Sequence, residues 1–155
     1  VRVSKNQIIW GANHLCDYLP KISSGWIFWD KMNGDVSFSD GELAWTSFDR
    51  AMKKVFISWV GANAKDGLSR IHPTQKPVAL YRWLLQNYAK PGQKILDTHG
   101  GSMSIAIACD IEGFDLTLCE LDPDYFAAGK KRLEQHQAQP RLFDAPAPQP
   151  IQLTL

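Results

Sequence analysis

The chain has 155 residues, with 17 basic and 16 acidic side chains and a formal net charge of +1. This length suits one domain with its own core. The near-neutral charge does not indicate a polycation, although a local patch would still allow nucleic acid to bind. No apolar run approaches the roughly 18–20 residues of a membrane span, and the given sequence shows no signal-peptide pattern.

The three cysteines, Cys16, Cys109 and Cys119, lie mostly in apolar runs and form no CxxC pair. We therefore expect a reduced, intracellular protein without a zinc site or other metal centre.

The first 71 residues read as short strands separated by loops. Strand candidates are 7–10, 26–29 and 55–60, whereas 42–45 is ambiguous between strand and turn. The polar segment 61–71 contains Lys65 and Arg70. These two cations either contact phosphates or are ordinary solvated charges.

The stretch 72–104 combines a helix, a turn, a strand and a glycine loop. Apolar side chains at helical spacing predict the helix, at Leu80, Trp83, Leu84 and Tyr88. Pro91-Gly92 ends this helix, and a short apolar strand then runs into Asp97. The pair Gly100-Gly101 opens a second helix that is rich in small residues.

A strand that ends in an acid and leads into glycines at a helix N-terminus is typical of α/β sheets that bind a nucleoside-bearing cofactor. Segment 114–120 reads as the next strand, and it ends in Glu120. A carboxylate about 20 residues after the glycines suits hydrogen bonds to ribose hydroxyls. The alternative is a tight turn that only packs a helix on a sheet.

The C-terminal part begins with Asp122-Pro123, an N-cap followed by proline at the first helical position. We expect this helix to reach about residue 136. The proline-rich segment 138–155 has no periodicity, so we predict a disordered tail.

The hexapeptide His72-Pro-Thr-Gln-Lys-Pro77, followed by the strand ending in Asp97 and the glycine loop, resembles the phage-type amino-group DNA methyltransferases. The likeness extends to Glu120-Leu-Asp-Pro-Asp-Tyr125 and to segments 9–14, 29–31 and 42–45. It implies an α/β, Rossmann-like methyltransferase sheet with helices on both faces. The methyltransferase domain would span 1–137, with its cofactor half at 72–137.

The family uses S-adenosylmethionine, and the resemblance implies residues that bind it. These cofactor residues are Asp97, Thr98, Gly100, Gly101, Ser102, Glu120, Thr74 and Lys76. A base pocket would be lined by Asn13, Asp30, Glu42 and Trp45, while Lys65 and Arg70 would contact DNA phosphates. Each also has a structural alternative, such as helix capping by Thr74 or core packing of Trp45.

The chain departs from the family pattern at three points. His99 stands where the family usually has Phe, and Met103 stands where it has a second spaced glycine. The family's catalytic Pro-Pro-aromatic motif does not occur, so no catalytic residue is assigned. Asp122-Pro-Asp-Tyr125 has similar letters but begins a helix after the cofactor strand. From the order of motifs in the family, we expect the catalytic motif and its two strands to precede residue 1, leaving the sheet incomplete at the N-terminus.

The resemblance implies a site-specific DNA methyltransferase of bacterial or phage-infected cytoplasm, which moves a methyl group to the exocyclic amino nitrogen of adenine rather than cytosine. The alternative is a non-catalytic, truncated relative that binds cofactor or DNA, or that needs another chain for the missing motif. A different Rossmann-like nucleotide enzyme fits the hexapeptide less well.

Two kinds of partner besides DNA are predicted. A sheet without its central strands would leave an unpaired edge, which favours a homodimer. The peptide Gln139-Pro-Arg-Leu142-Phe143 resembles the segment by which bacterial DNA enzymes bind the replication sliding clamp.

Overall fold

The computed structural model describes residues 3–19, 24–34, 37, 39–59, 70–140 and 150–154. The chain divides into two compact units, Val1–Ala64 and Lys65–Leu155. The predicted α/β class is confirmed, but the described strands form two separate sheets, one in each unit.

Unit 1 contains a four-stranded sheet in the order β1-β3-β2-β4. Its strands are β1 (Ile8–Trp10), β2 (Trp26–Asp30), β3 (Gly41–Thr46) and β4 (Lys53–Phe56). β3 is antiparallel to both β1 and β2, and β4 is parallel to β2. The ambiguous segment 42–45 is therefore a strand with a partner on each side. Short 3-10 turns at Ala12–His14 and Cys16–Tyr18 follow β1.

The last strand of unit 1 ends earlier than the predicted 55–60. The amides of Ile57 and Trp59 donate to the carbonyls of Asp30 and Lys31, which lie at and beyond the end of β2. The indole of Trp29 donates to the Ile57 carbonyl at 2.9 Å. Residues 57–59 thus continue beside β2 without extending the ladder.

Unit 2 alternates helices with parallel strands. Its elements are α1 (Val78–Tyr88), β5 (Lys94–Asp97), α2 (Ser104–Glu112), β6 (Asp115–Cys119), α3 (Pro123–Gln137) and β7 (Ile151–Thr154). The strand order is β5-β6-β7, with both pairs parallel. Parallel neighbours joined by helices are the unit from which Rossmann-like sheets are built.

The core of unit 2 lies between the helices and the sheet. Its fully or almost fully buried side chains include Met103, Ile107, Leu116, Leu118 and Leu133. Met103 directly precedes α2, so the loop that carries the glycines is anchored in this core.

The prediction of a disordered tail over 138–155 is wrong for Ile151–Thr154, which form β7. Ile151 and Leu153 pack against the core, while Gln152 and Thr154 are exposed. Gln139 donates its amide to the carbonyl of His136 and so ends α3. Leu142 and Phe143 of the clamp-like peptide lie outside the described residues. In the parts of the chain that the structure describes, no helix is long and apolar enough to cross a membrane.

Candidate cofactor site

The carboxyl ends of β5 and β6 bring two acids to one edge of the parallel sheet. Asp97 closes β5 and is paired in register with Leu118, and Glu120 directly follows the last residue of β6. The glycine loop connects β5 to α2 above the same edge. Ligands of open α/β sheets bind at this edge, outside the carboxyl ends of the strands.

Glu120 joins the glycine loop to the next strand. Its Oε2 accepts a hydrogen bond of 2.6 Å from the amide of Gly101, and its Oε1 accepts one of 2.9 Å from the amide of Asp122. Burial alone would raise the pKa of Glu120, but the amides of Asp122, Gly101 and Leu121, with nearby His72, hold that pKa below its usual value. Each carboxylate oxygen keeps a second lone pair, so the side chain can still accept from hydroxyl groups of a ligand.

The two glycines of the loop are required for different reasons. The amide of Gly100 donates to the carbonyl of Cys119 at 2.8 Å, and a Cβ at this position would lie 2.3 Å from Cδ2 of Leu118. Gly101 has a φ of +51°, which side chains rarely tolerate. Gly100 therefore lets the loop approach β6, and Gly101 lets it turn toward Glu120.

Asp97 has a different electrostatic environment from Glu120. Burial raises its pKa, and this effect outweighs the hydrogen bond of 3.0 Å that its Oδ1 accepts from the amide of His99. The carboxylate of Glu120 raises the pKa of Asp97 further, whereas the charge of Lys76 lowers it. The two acids of the site are thus shifted in opposite directions, as in sites where carboxylates have separate roles.

The hexapeptide segment lies against the glycine loop. A Cβ at Gly101 would be 3.4 Å from Cγ of His72, whose ring also packs edge-on against Tyr125 at a centroid distance of 4.4 Å. The amide of Thr74 donates to Nδ1 of His72 at 3.2 Å. Gln75 is buried and accepts a bond of 3.0 Å from the amide of Ile71, so it shapes the turn.

Most predicted cofactor residues come together at this edge, but two are placed differently from the rest. Gly101 is hydrogen-bonded to Glu120, Gly100 packs against β6, and the charges of Glu120 and Lys76 both act on Asp97. Ser102 is buried, and its hydroxyl shares a hydrogen bond of 3.1 Å with Ser104. The hydroxyl of Thr98, an exposed residue, lies 2.9 Å from Nδ1 of His99. Ser102 therefore belongs to the support of the loop rather than to its open side.

The four residues predicted to bind the base all lie in unit 1, and three of them are held by ion pairs or packing. Asp30 pairs with Lys54 at 2.9 Å, and Glu42 pairs with Lys31 at 3.0 Å. Trp45 is buried, while Asn13 is exposed beside His14. Because side chains alternate along strands and Trp45 is in register with Trp26, Trp45 and Asp30 share one face of the sheet and Glu42 lies on the other. A pocket on one face cannot contain all three.

Of the two residues predicted to contact phosphates, only Arg70 is among the residues that the structure describes. Arg70 is exposed, and its Nε donates to the carbonyl of His72 at 3.1 Å, so it also holds the start of the hexapeptide. Lys65 lies outside the described residues.

Three residues of the site were not predicted from the sequence. Leu121 is 93% exposed between Glu120 and Asp122, and it offers an apolar surface at the strand end. Tyr125 supports His72, and Arg132 donates to the carbonyl of Ser102 at 2.7 Å. Leu121 could have been found from the sequence, because it is an apolar residue between two acids at a strand end. Arg132 could not, because its contact with Ser102 spans 30 residues and has no local signal.

An acid at the end of each of two neighbouring strands, a closely packed glycine loop and an exposed apolar side chain are features with which Rossmann-like sheets bind nucleoside-bearing cofactors. The family model for N6/N4 DNA methylases matches residues 20–131. The chain therefore belongs to the family of amino-group DNA methyltransferases, whose methyl donor is S-adenosylmethionine.

Solved structures show the same fold. The M1.HpyAVI–SAM complex has a TM-score of 0.63 at 19% identity, and the match covers 83% of this chain and 74% of that one. M1.HpyAVI alone has a TM-score of 0.56 at 20% identity, with 83% and 72% covered. No curated protein matches the chain in sequence.

Proposed function

We propose that S-adenosylmethionine binds at the carboxyl ends of β5 and β6. The protein would then be a site-specific methyltransferase that acts on the exocyclic amino nitrogen of adenine in DNA. The observation that carries this proposal is the hydrogen bond of 2.6 Å between the Gly101 amide and Glu120, with His72 of the hexapeptide packed on the same glycine. Three separate family motifs meet at one point of the fold. The choice of adenine rests on the resemblance of the sequence.

The residues present fit the parts of this cofactor. Glu120 is charged and has lone pairs free for ribose hydroxyls, while Leu121 offers an apolar face to the nucleobase. Lys76 brings a positive charge near Asp97 and suits the carboxylate of the methionine part, with Thr74 beside it. When bound, the cofactor supplies an electrophilic methyl group on sulfonium sulfur. The chain's own residues bind it, orient it and hold the loop in place.

The base that accepts the methyl group needs help of a different kind. Its amino lone pair is conjugated with the ring, so a methyltransferase must orient that nitrogen, usually on a base turned out of the stack. We assign no residue of this chain to that step. The alternative function therefore keeps cofactor or DNA binding and takes the Pro-Pro-aromatic motif from another segment or another chain.

For DNA we propose phosphate contacts at Lys65 and Arg70 and base contacts in unit 1, at Asn13, at Asp30 and Trp45 on one face of the sheet, and at Glu42 on the other face. A homodimer, sliding-clamp binding through Gln139, Leu142 and Phe143, and a cytoplasmic location are further proposals from the sequence. Analytical ultracentrifugation tests the dimer, and the clamp proposal requires that a Leu142→Ala, Phe143→Ala variant loses clamp binding.

Calorimetric titration with S-adenosylmethionine tests the site. We expect the wild-type chain to bind and Glu120→Gln to bind about 10- to 100-fold more weakly, the loss typical of a hydrogen bond to a charged group. Glu134→Gln is the control, since Glu134 is an exposed residue of α3 paired only weakly with Lys130 at 3.8 Å. A folded wild-type chain that gives no binding heat would disprove the cofactor site.

Mass spectrometry of DNA nucleosides after incubation with labelled cofactor separates the two functions. Labelled N6-methyladenine supports an adenine methyltransferase, whereas labelled N4-methylcytosine would show that the methylated base is cytosine. Cofactor binding without any labelled base supports the non-catalytic alternative.

A further inference from the structure

The loop contains an unusual backbone conformation at Met103. This residue has φ 55° and ψ 28°, in the left-handed region, and it is fully buried. A side chain with a Cβ rarely occupies this region, because Cβ approaches the carbonyl oxygen. The conformation persists only where surrounding contacts hold it.

Arg132 makes hydrogen bonds on both sides of Met103. Its Nη1 donates to the carbonyl of Ser102 at 2.7 Å and to the hydroxyl of Ser104 at 2.8 Å. The guanidinium is buried, with the residue 7% exposed. A buried, charged donor on both flanking residues fixes the turn more strongly than two neutral hydrogen bonds would.

Arg132 is one member of a stripe on α3 that faces the loop. Gly129 leaves room for Met103, since a Cβ there would lie 2.8 Å from Cγ of Met103 and 3.0 Å from the carbonyl of Gly101. Tyr125 packs on His72, which lies against Gly101. Residues at i, i+4 and i+7 share a helix face, so one side of α3 contacts the whole turn.

We propose that Arg132 is a positioning residue for cofactor binding, which acts by holding Met103 in its left-handed conformation. Gly101 donates to Glu120 only two residues before Met103, so a change of backbone at Met103 displaces the pair that faces the ribose. A glycine at position 103 would adopt the turn without this support. This inference rests on the proposed cofactor site and adds the device that keeps its loop in shape.

The test combines Arg132→Gln with two substitutions of Met103 in the full chain. Met103→Gly and Met103→Ala both remove the long side chain, but only glycine removes the cost of the positive φ. We expect Arg132→Gln to weaken binding of S-adenosylmethionine in calorimetry about tenfold or more, since it loses a charged donor. Adding Met103→Gly should restore most of this affinity, and adding Met103→Ala should not. Lys131→Gln, an exposed neighbour on α3, is the control with the same change of charge.

Thermal melts of the same variants show whether lost affinity reflects lost folding. If Arg132→Gln does not fold, Arg132→Lys replaces it in every comparison, because lysine keeps the charge but cannot reproduce the guanidinium contacts. If the wild-type chain binds the cofactor and the folded Arg132 variant binds it equally well, the positioning role of Arg132 is wrong while the proposed cofactor site stands. Equal affinities of the glycine and alanine double variants overturn the role of Met103. A wild-type chain that does not bind the cofactor overturns both this inference and the proposed function.

Discussion

Asp97 and Glu120 show how the local environment shifts the pKa of two nearby carboxyl groups in opposite directions. Backbone amides hold Glu120 ionised, whereas burial makes ionisation of Asp97 less favourable. The folded chain therefore has a higher pKa for Asp97 than the ordinary value of 3.8. Between these two values the folded state binds more protons than the unfolded state, so this residue's contribution to stability falls as the pH rises.

Replacement of Asp97 by asparagine tests this shift. Asparagine can keep the hydrogen bond from His99 without a charge, so Asp97→Asn should melt at a higher temperature than wild type at pH 7. Below pH 3.8 the difference should disappear, because the aspartate is then protonated in both states. Affinity for S-adenosylmethionine at pH 7 should fall about tenfold.

Asp49→Asn is the matched control for that experiment, because Asp49 is exposed. A melting temperature of Asp97→Asn below that of wild type at pH 7 would contradict the proposed cost of burying the charge.

Substitutions of Gly101 and Gly92 distinguish the effect of backbone strain on stability from the effect of the loop on cofactor binding. Both have positive φ, +51° and +81°, but nothing lies near a Cβ at Gly92, whereas His72 lies 3.4 Å from one at Gly101. Each substitution by alanine should lower the free energy of unfolding by about 1 kcal/mol, measured by urea titration. Only Gly101→Ala should also weaken cofactor binding. Equal losses of affinity would show that general destabilisation is the cause.

At the scale of elements, α3 is started by one side chain. Oδ1 of Asp122 accepts from the amides of Asp124 and Tyr125, and Pro123 occupies the first helical position. Asp122→Ala should lower the free energy of unfolding by about 1 kcal/mol in urea titration, and Asp122→Asn should retain most of the stability. Equal losses in the two variants would show that capping is not what Asp122 contributes.

β7 extends the parallel sheet by a strand from the proline-rich tail. Leu153 packs on the core and Gln152 is exposed beside it. Leu153→Asp should lower the free energy of unfolding by about 1–3 kcal/mol, and Gln152→Asp by less than about 0.5 kcal/mol, both by urea titration. If the two variants are equally stable, β7 does not contribute to the folded core.

At the scale of the whole molecule, all residues of the proposed cofactor site belong to unit 2. A ligand that binds only the closed form of a site suppresses local opening there. We expect S-adenosylmethionine to slow hydrogen exchange in segments 97–104 and 120–125, with much smaller changes in β2 and β3. Equal slowing in both units would show that they open together.

The elements from α1 to α3 in unit 2 were predictable from the sequence because their signals are local, whereas β7 was not. The apolar stripe of α1, the acid at the end of β5 and the cap at Asp122 each occupy a few consecutive residues. The interaction of Glu120 with Gly101 and Asp97 follows from strand ends and glycines, which have local signals. The burial of Ser102 could not be predicted in this way, because a residue's burial depends on what packs against it.

The sequence alone determined the family, the α/β class and the order of motifs, since hydrophobic periodicity and special residues act through near neighbours. Only the tertiary structure decided that the strands form two sheets, that 151–154 pair with β6, and that Arg132 holds the turn at Met103. Parallel pairing and buried hydrogen bonds join residues about 30 positions apart. No local pattern specifies such partners, because many segments have the same propensity and only the folded chain selects among them.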